Sequence, residues 1–219
     1  MSKPTSLFEG HSRFRSDYFE NDRQLFDALA RGTHEPLACI IGCSDARVPP
    51  DIILGASPGD LFAVRNVANI VPPFGEQNFN RAAGSAIEFA VHVLRVPHIV
   101  VVGHTQCGGI RAITTMDEKL AEDMPTLAQW LKDAVELRRR LQLLARHLSP
   151  EDLEKQLVFE NVLVQLDNLL TYPAVARALE ENRLEMHGWV YDLADGRIRA
   201  YDPKVNRFEL LEKTVSRAP

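Results

Sequence analysis

The chain has 219 residues, of which 45% are hydrophobic and 25% are charged, as in an ordinary globular protein with one large core. A formal net charge of −5 gives no electrostatic reason to expect a nucleic acid or an anionic membrane as a partner. We expect neither a secretory signal nor a membrane span, because the N-terminus lacks an apolar segment and no apolar run reaches roughly 20 residues.

Hydrophobic periodicity and turn residues predict helices and strands that alternate along the chain. In chain order the predicted elements are an unpatterned arm at 1–14, a helix at 15–31, strands at 37–42 and 60–67, a helix at 80–94, a strand at 98–103, helices at 110–115, 127–148, 150–170 and 173–182, and strands at 183–191 and 197–201. This alternation predicts an α/β fold with a mostly parallel central sheet flanked by helices and with an N-terminal helical arm. The whole chain, 1–219, is predicted to be a single α/β domain, with the arm and its helix at 1–34 and the core at 35–205.

Two of the predicted strands end in side chains that commonly bind metals. Cys43 follows the first strand, and His104 and Cys107 follow the third. The ligand sites of such sheets lie beyond the carboxyl ends of the strands, so the three side chains are expected to meet there. Two thiolates and one imidazole suit Zn²⁺ and leave a fourth position open, as in a catalytic site. Cys39 is excluded as the fourth ligand, because four residues of strand place it roughly 13 Å from Cys43.

The residues that flank these candidate ligands offer further chemistry. Asp45 is either a fourth zinc ligand or a hydrogen-bond acceptor beside the metal, and Arg47 is close enough in sequence for a bidentate ion pair with it. Gly108 and Gly109 begin the next helix, where their N–H groups could face an anion. The simpler alternatives, a surface Asp–Arg pair and an ordinary turn, stay open.

Cysteine usage bears on the compartment in which the protein works. The three cysteines are an odd number, and two of them lie beside histidine or aspartate. This pattern favours metal or catalytic use in a reducing compartment over a disulfide framework. A cytoplasmic location is therefore predicted.

Six sequence motifs resemble those of the β-class carbonic anhydrases, and the likeness extends over residues 15–205. They are CSDARV at 43–48, PGDLFAVRNVAN at 58–69, VPP at 71–73, GSAIEFAV at 84–91, GHTQCGG at 103–109 and HGWVYD at 187–192. Two of these motifs, VPP and GSAIEFAV, resemble the plant-type branch of the family. The resemblance implies reversible hydration of CO2 to bicarbonate and a proton by attack of zinc-bound hydroxide. It also implies a homodimer or a higher homo-oligomer such as a tetramer.

The resemblance also assigns roles to residues. It implies that Cys43, His104 and Cys107 bind Zn²⁺, and that Asp45 and Arg47 form a catalytic dyad in which Asp45 ligates zinc only in a closed state. The implied substrate-binding residues are the amide of Gly108, an apolar pocket of Phe62, Val67 and Phe89 that belongs partly to a neighbouring subunit, and His34.

The sequence departs from the family's pattern at the rim of this implied site. Ala46 replaces a serine, His34 a glutamine and Phe89 a tyrosine, which bears on rate and substrate preference. Ile40 stands where bicarbonate-regulated members carry tryptophan, so that regulation is not expected. His34 and His11 are candidate proton shuttles, because imidazole titrates near neutrality, although each also fits a surface histidine without a role.

Two alternative functions stay open at the level of sequence. COS or CS2 could be hydrolysed on the same zinc site, since both are linear apolar triatomic molecules like CO2. A non-enzymatic zinc-binding or redox-sensing protein could use Cys39 near Cys43. The motifs alone do not separate these readings from carbonic anhydrase.

Overall fold

A computed structural model describes residues 3–32, 34–75 and 81–211 of the chain. The chain divides into two compact units, an N-terminal unit, Met1–Glu35, and a core unit, Pro36–Pro219. In the described ranges, no helix is both long enough and apolar enough to cross a membrane.

The N-terminal unit is helical. Helix α1 spans Lys3–Arg13, a π-helical turn spans Phe14–Phe19, and α2 spans Arg23–Arg31. The predicted helix at 15–31 is therefore interrupted after Phe19, and α1 occupies the arm for which the sequence predicted no element. The sequence pattern missed α1 because apolar side chains such as Leu7 form no buried stripe on it, and Leu7 is 75% exposed.

The core unit is built on a sheet that has six strands within the described residues, in the order β2-β1-β3-β4-β5-β6. The strands are β1 (Ala38–Cys43), β2 (Leu61–Asn66), β3 (His98–His104), β4 (Glu185–Tyr191), β5 (Ile198–Asp202) and β6 (Arg207–Leu210). Strands β1 to β4 are parallel, and β5 and β6 are antiparallel to their neighbours. The predicted α/β fold with a mostly parallel sheet is confirmed, whereas β6 is short, half polar and was not predicted.

Helices connect and cover these strands. They are α3 (Pro50–Leu54), α4 (Arg81–Glu88) with a π-helical turn at Phe89–Val93, α5 (Gly108–Thr115), α6 (Glu118–Asp123), α7 (Pro125–Trp130), α8 (Lys132–Leu144), α9 (Pro150–Leu170) and α10 (Pro173–Glu180). The predicted helix at 127–148 is wrong as one element: α7 and α8 are separated at Leu131, which leaves helical geometry (φ −92°, ψ 2°) with its side chain fully buried.

The sheet topology places the site. The chain runs from β1 outward to β2 and then returns to β3 on the other side of β1, so the strand order reverses between β1 and β3. The carboxyl ends of these two parallel strands lie side by side, with Gly42 opposite Val102 in the register. Ligand sites of open α/β sheets form at such a reversal. The main core lies on one face of the sheet, where residues such as Ile41 and Val101 are fully buried together with residues of α9.

Candidate metal centre

Three buried side chains meet at the carboxyl ends of β1 and β3. Cys43 ends β1, His104 ends β3, and Cys107 precedes α5. Their exposed fractions are 5%, 1% and 1%. The sulfur atoms of Cys43 and Cys107 lie 3.8 Å apart, and all three ligand-type atoms lie within 4.8 Å of one another. The structure thus brings together the three side chains that the sequence predicted as ligands, in an arrangement that can hold a metal ion.

The imidazole of His104 is held in one tautomer. Its Nδ1–H donates to the carbonyl of Thr105 at 2.9 Å, so Nε2 carries the free lone pair. Thr105 is itself fixed, because its hydroxyl donates to Asp192 and accepts from the N–H of Leu193. The Nε2 atom is buried and has no hydrogen-bond partner in the described structure. A buried polar atom without a partner is costly, and a metal ion between the imidazole and the two sulfurs would satisfy it.

The two sulfurs are electrostatically unlike ordinary buried thiols. A hydrogen bond from the Cys107 thiol lowers the pKa of Cys43, and the backbone N–H groups of Asp45 and Ala68 lower it further. The same hydrogen bond raises the pKa of Cys107. Because one thiol stabilises the thiolate of the other, the pair holds a thiolate, which is the form that binds metal. The donor set therefore fits a thiophilic ion such as Zn²⁺.

Asp45 and Arg47 form a bidentate ion pair beside these ligands. Arg47 donates from Nη2 to Oδ2 of Asp45 at 2.7 Å and from Nε to Oδ1 at 3.0 Å, and its Nη2 also donates to the carbonyl of Gln106. The hydrogen bonds from Arg47 hold the pKa of Asp45 well below its usual range. Asp45 is therefore an ionised acceptor, and its Oδ2 lies 3.9 Å from Nε2 of His104.

Comparison with known proteins identifies the family. The sequence profile of the carbonic anhydrase family matches residues 38–198. A carbonic anhydrase from Pseudomonas aeruginosa is 43% identical over 202 residues, which are 92% of this chain and 89% of that protein. The solved structure of the β-carbonic anhydrase CcaA has a TM-score of 0.89 at 40% identity and covers 95% of this chain and 100% of its own. The chain belongs to the β-carbonic anhydrase family.

A tetrameric β-carbonic anhydrase from Sordaria macrospora is also similar to this carbonic anhydrase. It has a TM-score of 0.80 at 29% identity, and the match covers 90% of this chain and 95% of that one. The β-class resemblance is thereby confirmed. Membership of the plant-type branch stays a prediction.

The turn after β2 supports the sulfur of Cys43. Ala68 is buried in the left-handed region (φ 64°), and its carbonyl accepts a hydrogen bond from Asn161 of α9 at 3.0 Å. Its N–H points at the Cys43 sulfur. Gly109 packs directly on this turn, because a Cβ there would lie 2.9 Å from the Cβ and 3.0 Å from the N of Ala68. A Cβ at Gly108 would meet nothing within 4 Å. The two glycines, equivalent in the sequence, thus serve different purposes.

We expect Gly109→Ala to destabilise the protein by about 1–3 kcal/mol, because the added methyl overpacks the turn. Shifting Ala68 would also withdraw an N–H from the Cys43 sulfur, so metal should dissociate more readily. Urea unfolding and metal release to a chelator measure the two effects. Gly108→Ala is the matched control: it should unfold at nearly the same urea concentration as the wild type, and equal destabilisation by both variants would contradict the packing argument.

Two residues of the site were missed by sequence reasoning. Arg65 donates from Nη2 to the carbonyl of Asp45 at 2.7 Å and from Nε to the carbonyl of Cys43 at 3.0 Å, which fixes the backbone that carries both side chains. Gln106 contributes its carbonyl to Arg47 from a left-handed backbone conformation (φ 55°). Arg65 lies within the motif at 58–69 that carries part of the family resemblance, so a sequence signal for it existed. For Gln106 there was none, because its hydrogen bond to Arg47 uses a backbone carbonyl, which every residue has.

Val67 lies beside the metal centre. It directly follows β2, is 39% exposed, and its Cγ1 lies 3.0 Å from the position of a Cβ on Gly109. Its carbonyl accepts a hydrogen bond from the indole of Trp130 at 2.8 Å. The role of Val67 in an apolar substrate pocket stays a prediction.

Phe62 and Phe89 lie elsewhere on the same chain. Phe62 pairs in register with Cys39, so four residues of strand, roughly 13 Å, separate it from the level of Cys43. The ring of Phe89 stacks on that of Phe62 at 5.9 Å, and Phe89 is 45% exposed. Within one chain, the structure therefore does not bring these two rings to the metal centre.

The remaining predicted rim residues are dispersed. His34 is exposed and belongs to the N-terminal unit, as does His11, whose ring stacks on Phe14. Ala46 is exposed next to the Asp45–Arg47 pair. Ile40 is 1% exposed and packs in a small second core on the other face of the sheet.

Proposed function

We propose that this carbonic anhydrase holds one Zn²⁺ with Cys43, His104 and Cys107 and catalyses the reversible hydration of CO2 to bicarbonate and a proton. The observation that carries the proposal is the buried, unpartnered Nε2 of His104, which faces two buried sulfurs. When bound, the ion would supply Lewis acidity that makes a hydroxide nucleophile available near neutral pH. The family relationship supports this reaction rather than another use of the same ligands.

Asp45 and Arg47 would orient the nucleophile. The carboxylate of Asp45 lies close to the ligands, and the hydrogen bonds from Arg47 lower its pKa, so at neutral pH it accepts a hydrogen bond and does not donate one. Arg47 occupies both carboxylate oxygens and anchors itself on Gln106, which keeps Asp45 from turning fully toward the ligands. The pair thus acts as a fixed acceptor that selects one orientation of a hydroxyl group.

Gly108 and Val67 would receive the substrate. Gly108 is exposed, begins α5, and has open space where a side chain would be, so an oxygen of CO2 could approach its N–H closely. Val67 offers apolar surface beside it, and an apolar wall suits CO2, which needs few polar anchors. His34 stays a proposed substrate-binding residue, as the family resemblance implies.

A homo-oligomer would complete the pocket. Phe62 and Phe89 form a stacked, partly exposed pair that cannot serve the site of their own chain. Contact with a second copy would bury this apolar surface and could present both rings to the partner's site. The similarity to a tetrameric β-carbonic anhydrase supports a homodimer or tetramer.

The alternative redox-sensing reading finds no support at Cys39. This residue is fully buried, and burial raises its pKa to about 12. A thiol that stays protonated is a poor nucleophile and a poor redox sensor. The described cysteines are all free, which fits the reducing, cytoplasmic compartment that we propose.

Parallel assays with CO2 and COS test the proposed function. We expect rapid CO2 hydration that rises through mildly alkaline pH, because two thiolates offset the charge of Zn²⁺ and weaken its Lewis acidity relative to three neutral imidazoles. The established value for the carbonic anhydrase with three histidine ligands is a water pKa of about 7. Turnover of COS but not CO2 would overturn the substrate assignment, and a rate constant flat from roughly pH 6.5 to about 9 would contradict the essential ionisation.

A further inference from the structure

A second group of metal-ligating side chains lies at the opposite end of the same sheet. His98 begins β3, and Glu185 and His187 lie at the start of β4, with His98 opposite Glu185 in the parallel register. Side chains at alternate positions of a strand share a face, so Glu185 and His187 point to the same side of the sheet. Strand β3 runs from His98 to His104, and its six residue steps span roughly 20 Å, which separates this group from the catalytic centre.

The three ligand-type atoms form a nearly equilateral triangle. Nδ1 of His98 lies 3.3 Å from Nε2 of His187, and Oε2 of Glu185 lies 3.8 Å from the first and 3.7 Å from the second. Ligands at about 2.0–2.1 Å from a tetrahedral ion are separated from each other by roughly 3.3 Å. The triangle therefore already has nearly the spacing that one ion would impose, without a change of backbone.

We propose that His98, Glu185 and His187 form a second binding site for a divalent transition-metal ion such as Zn²⁺. Two imidazoles and one carboxylate are a donor set that Zn²⁺ uses elsewhere, and three ligands leave a fourth position for water. The set contains no thiolate, so it differs in ligand chemistry from the catalytic centre. Neutral imidazole is the form that ligates metal, and burial together with the neighbouring His98 lowers the pKa of His187, which favours that form.

The surroundings of the triangle permit an ion to enter and be detected. The side chains of His98, His187 and Glu185 are 43%, 33% and 71% exposed, so the site is open to solvent. The ring of Trp189 lies 6.2 Å from that of His187 on the same face. A quenching ion in the triangle would therefore change the fluorescence of Trp189.

Titration of the zinc-loaded, full-length enzyme with Zn²⁺ tests the site. We expect one further equivalent to bind to the wild type. We expect the variants Glu185→Gln, His98→Asn and His187→Asn each to weaken the affinity for this second ion by more than roughly 10–100-fold. That factor is typical for the loss of a residue that only hydrogen-bonds to a metal ligand, and these residues would bind the ion directly. Glu185→Gln is the most informative variant, because its side chain is the most exposed of the three and its loss should leave the fold and CO2 hydration unchanged.

Two controls make the outcome decisive. His92→Asn removes an exposed histidine outside the triangle and should leave the second equivalent in place. Cys43→Ser should lose the catalytic ion but keep the second, which separates this proposal from the proposed function. Titration with Ni²⁺ should quench Trp189 fluorescence in the wild type and not in Glu185→Gln. The proposal is overturned if the wild type takes up no second equivalent, or if all three triangle variants bind it as tightly as the wild type does.

Discussion

Arg47→Ala is expected to lower CO2 hydration by at least roughly 10–100-fold while the protein remains folded and keeps its metal. Within the described residues, the hydrogen bonds of the Arg47 side chain go to Asp45 and Gln106 and not to the three candidate ligands. The substitution removes the three hydrogen bonds from the Arg47 side chain to the carboxylate of Asp45 and its anchor on Gln106. The variant therefore tests positioning, separately from metal binding.

The physical reason lies in the freedom that Asp45 would gain. Oδ2 of Asp45 already lies only 3.9 Å from Nε2 of His104. In Arg47→Ala the backbone N–H of residue 47 still holds Oδ1, but the side-chain hydrogen bonds to Oδ2 are lost, which frees that oxygen to turn toward the ligands. A divalent cation held by the three ligands would strongly attract this carboxylate in a partly buried site. The expected result is a closed state in which Asp45 takes the fourth position and blocks the reaction.

Measurements on two further variants distinguish this closure from simple loss of charge. Arg47→Lys keeps the positive charge but loses the planar guanidinium group that binds both oxygens of Asp45, so it should retain part of the activity. Arg139→Ala removes an exposed arginine of α8 that pairs with Glu136, and its activity should equal that of the wild type. X-ray absorption at the zinc edge of Arg47→Ala should show a carboxylate oxygen in place of the solvent oxygen at the fourth position. Undiminished CO2 hydration in Arg47→Ala would refute the positioning role.

The metal centre could be predicted from the sequence because its signals are local. Cys43 and His104 each follow an apolar run that ends in glycine, and such runs become buried parallel strands whether or not the rest of the fold is known. The rule that parallel strands end at one edge then brings the two positions together. The start of α9 is equally local, because the Ser149 hydroxyl accepts a hydrogen bond from the N–H of Asp152.

The supporting shell could not be predicted, because it consists of tertiary contacts to backbone groups. Ala68 is left-handed although it is neither glycine nor asparagine, and its carbonyl is held by Asn161, 93 residues away. Asn161 and Gln165 are buried polar residues on α9, where one bonds the other and Gln165 also accepts from the N–H of Val71. They interrupt the apolar stripe of the helix, so a periodicity argument treats them as surface positions.

The placement of Phe62 shows a different limit. Its motif matched the family's substrate pocket, but strand geometry within one chain puts it near the amino end of β2, level with Cys39. A sequence motif marks a residue as functional, but it does not show whether the residue acts in its own subunit or in a neighbouring one. The second copy that we propose would cover the stacked Phe62–Phe89 pair, in which Phe89 is 45% exposed.

Cys43→Ser is expected to abolish stable metal binding and to lower the rate of CO2 hydration by more than roughly 100-fold. This effect exceeds that of removing a residue that only hydrogen-bonds to a metal ligand, because Cys43 would bind the ion directly. A serine hydroxyl stays protonated at neutral pH and is a poor ligand where a thiolate is required. The substitution also removes the hydrogen-bond partner of the Cys107 thiol and leaves Nε2 of His104 buried without a ligand. Metal content per chain and stopped-flow CO2 hydration measure the two losses.

The same variant should unfold at a lower temperature, because an ion that binds the folded state far better than the unfolded state stabilises it by mass action. Removal of metal from the wild type by a chelator should produce a similar shift, and the chelator should produce almost none in Cys43→Ser. If the variant and the stripped wild type unfold at very different temperatures, the serine has perturbed the core by itself and the metal linkage must be measured from the wild type alone.

Cys39→Ala is the matched control, since Cys39 is on the same strand and fully buried but lies four residues from the ligand position. Loss of its sulfur from the core should cost about 1 kcal/mol of stability and leave metal content and CO2 hydration intact. A redox-sensing protein that pairs Cys39 with Cys43 would respond in the opposite way: peroxide would release metal from the wild type, and Cys39→Ala would resist it. Equal peroxide sensitivity of the wild type and Cys39→Ala, combined with metal loss only in Cys43→Ser, assigns Cys43 to the metal and Cys39 to the core.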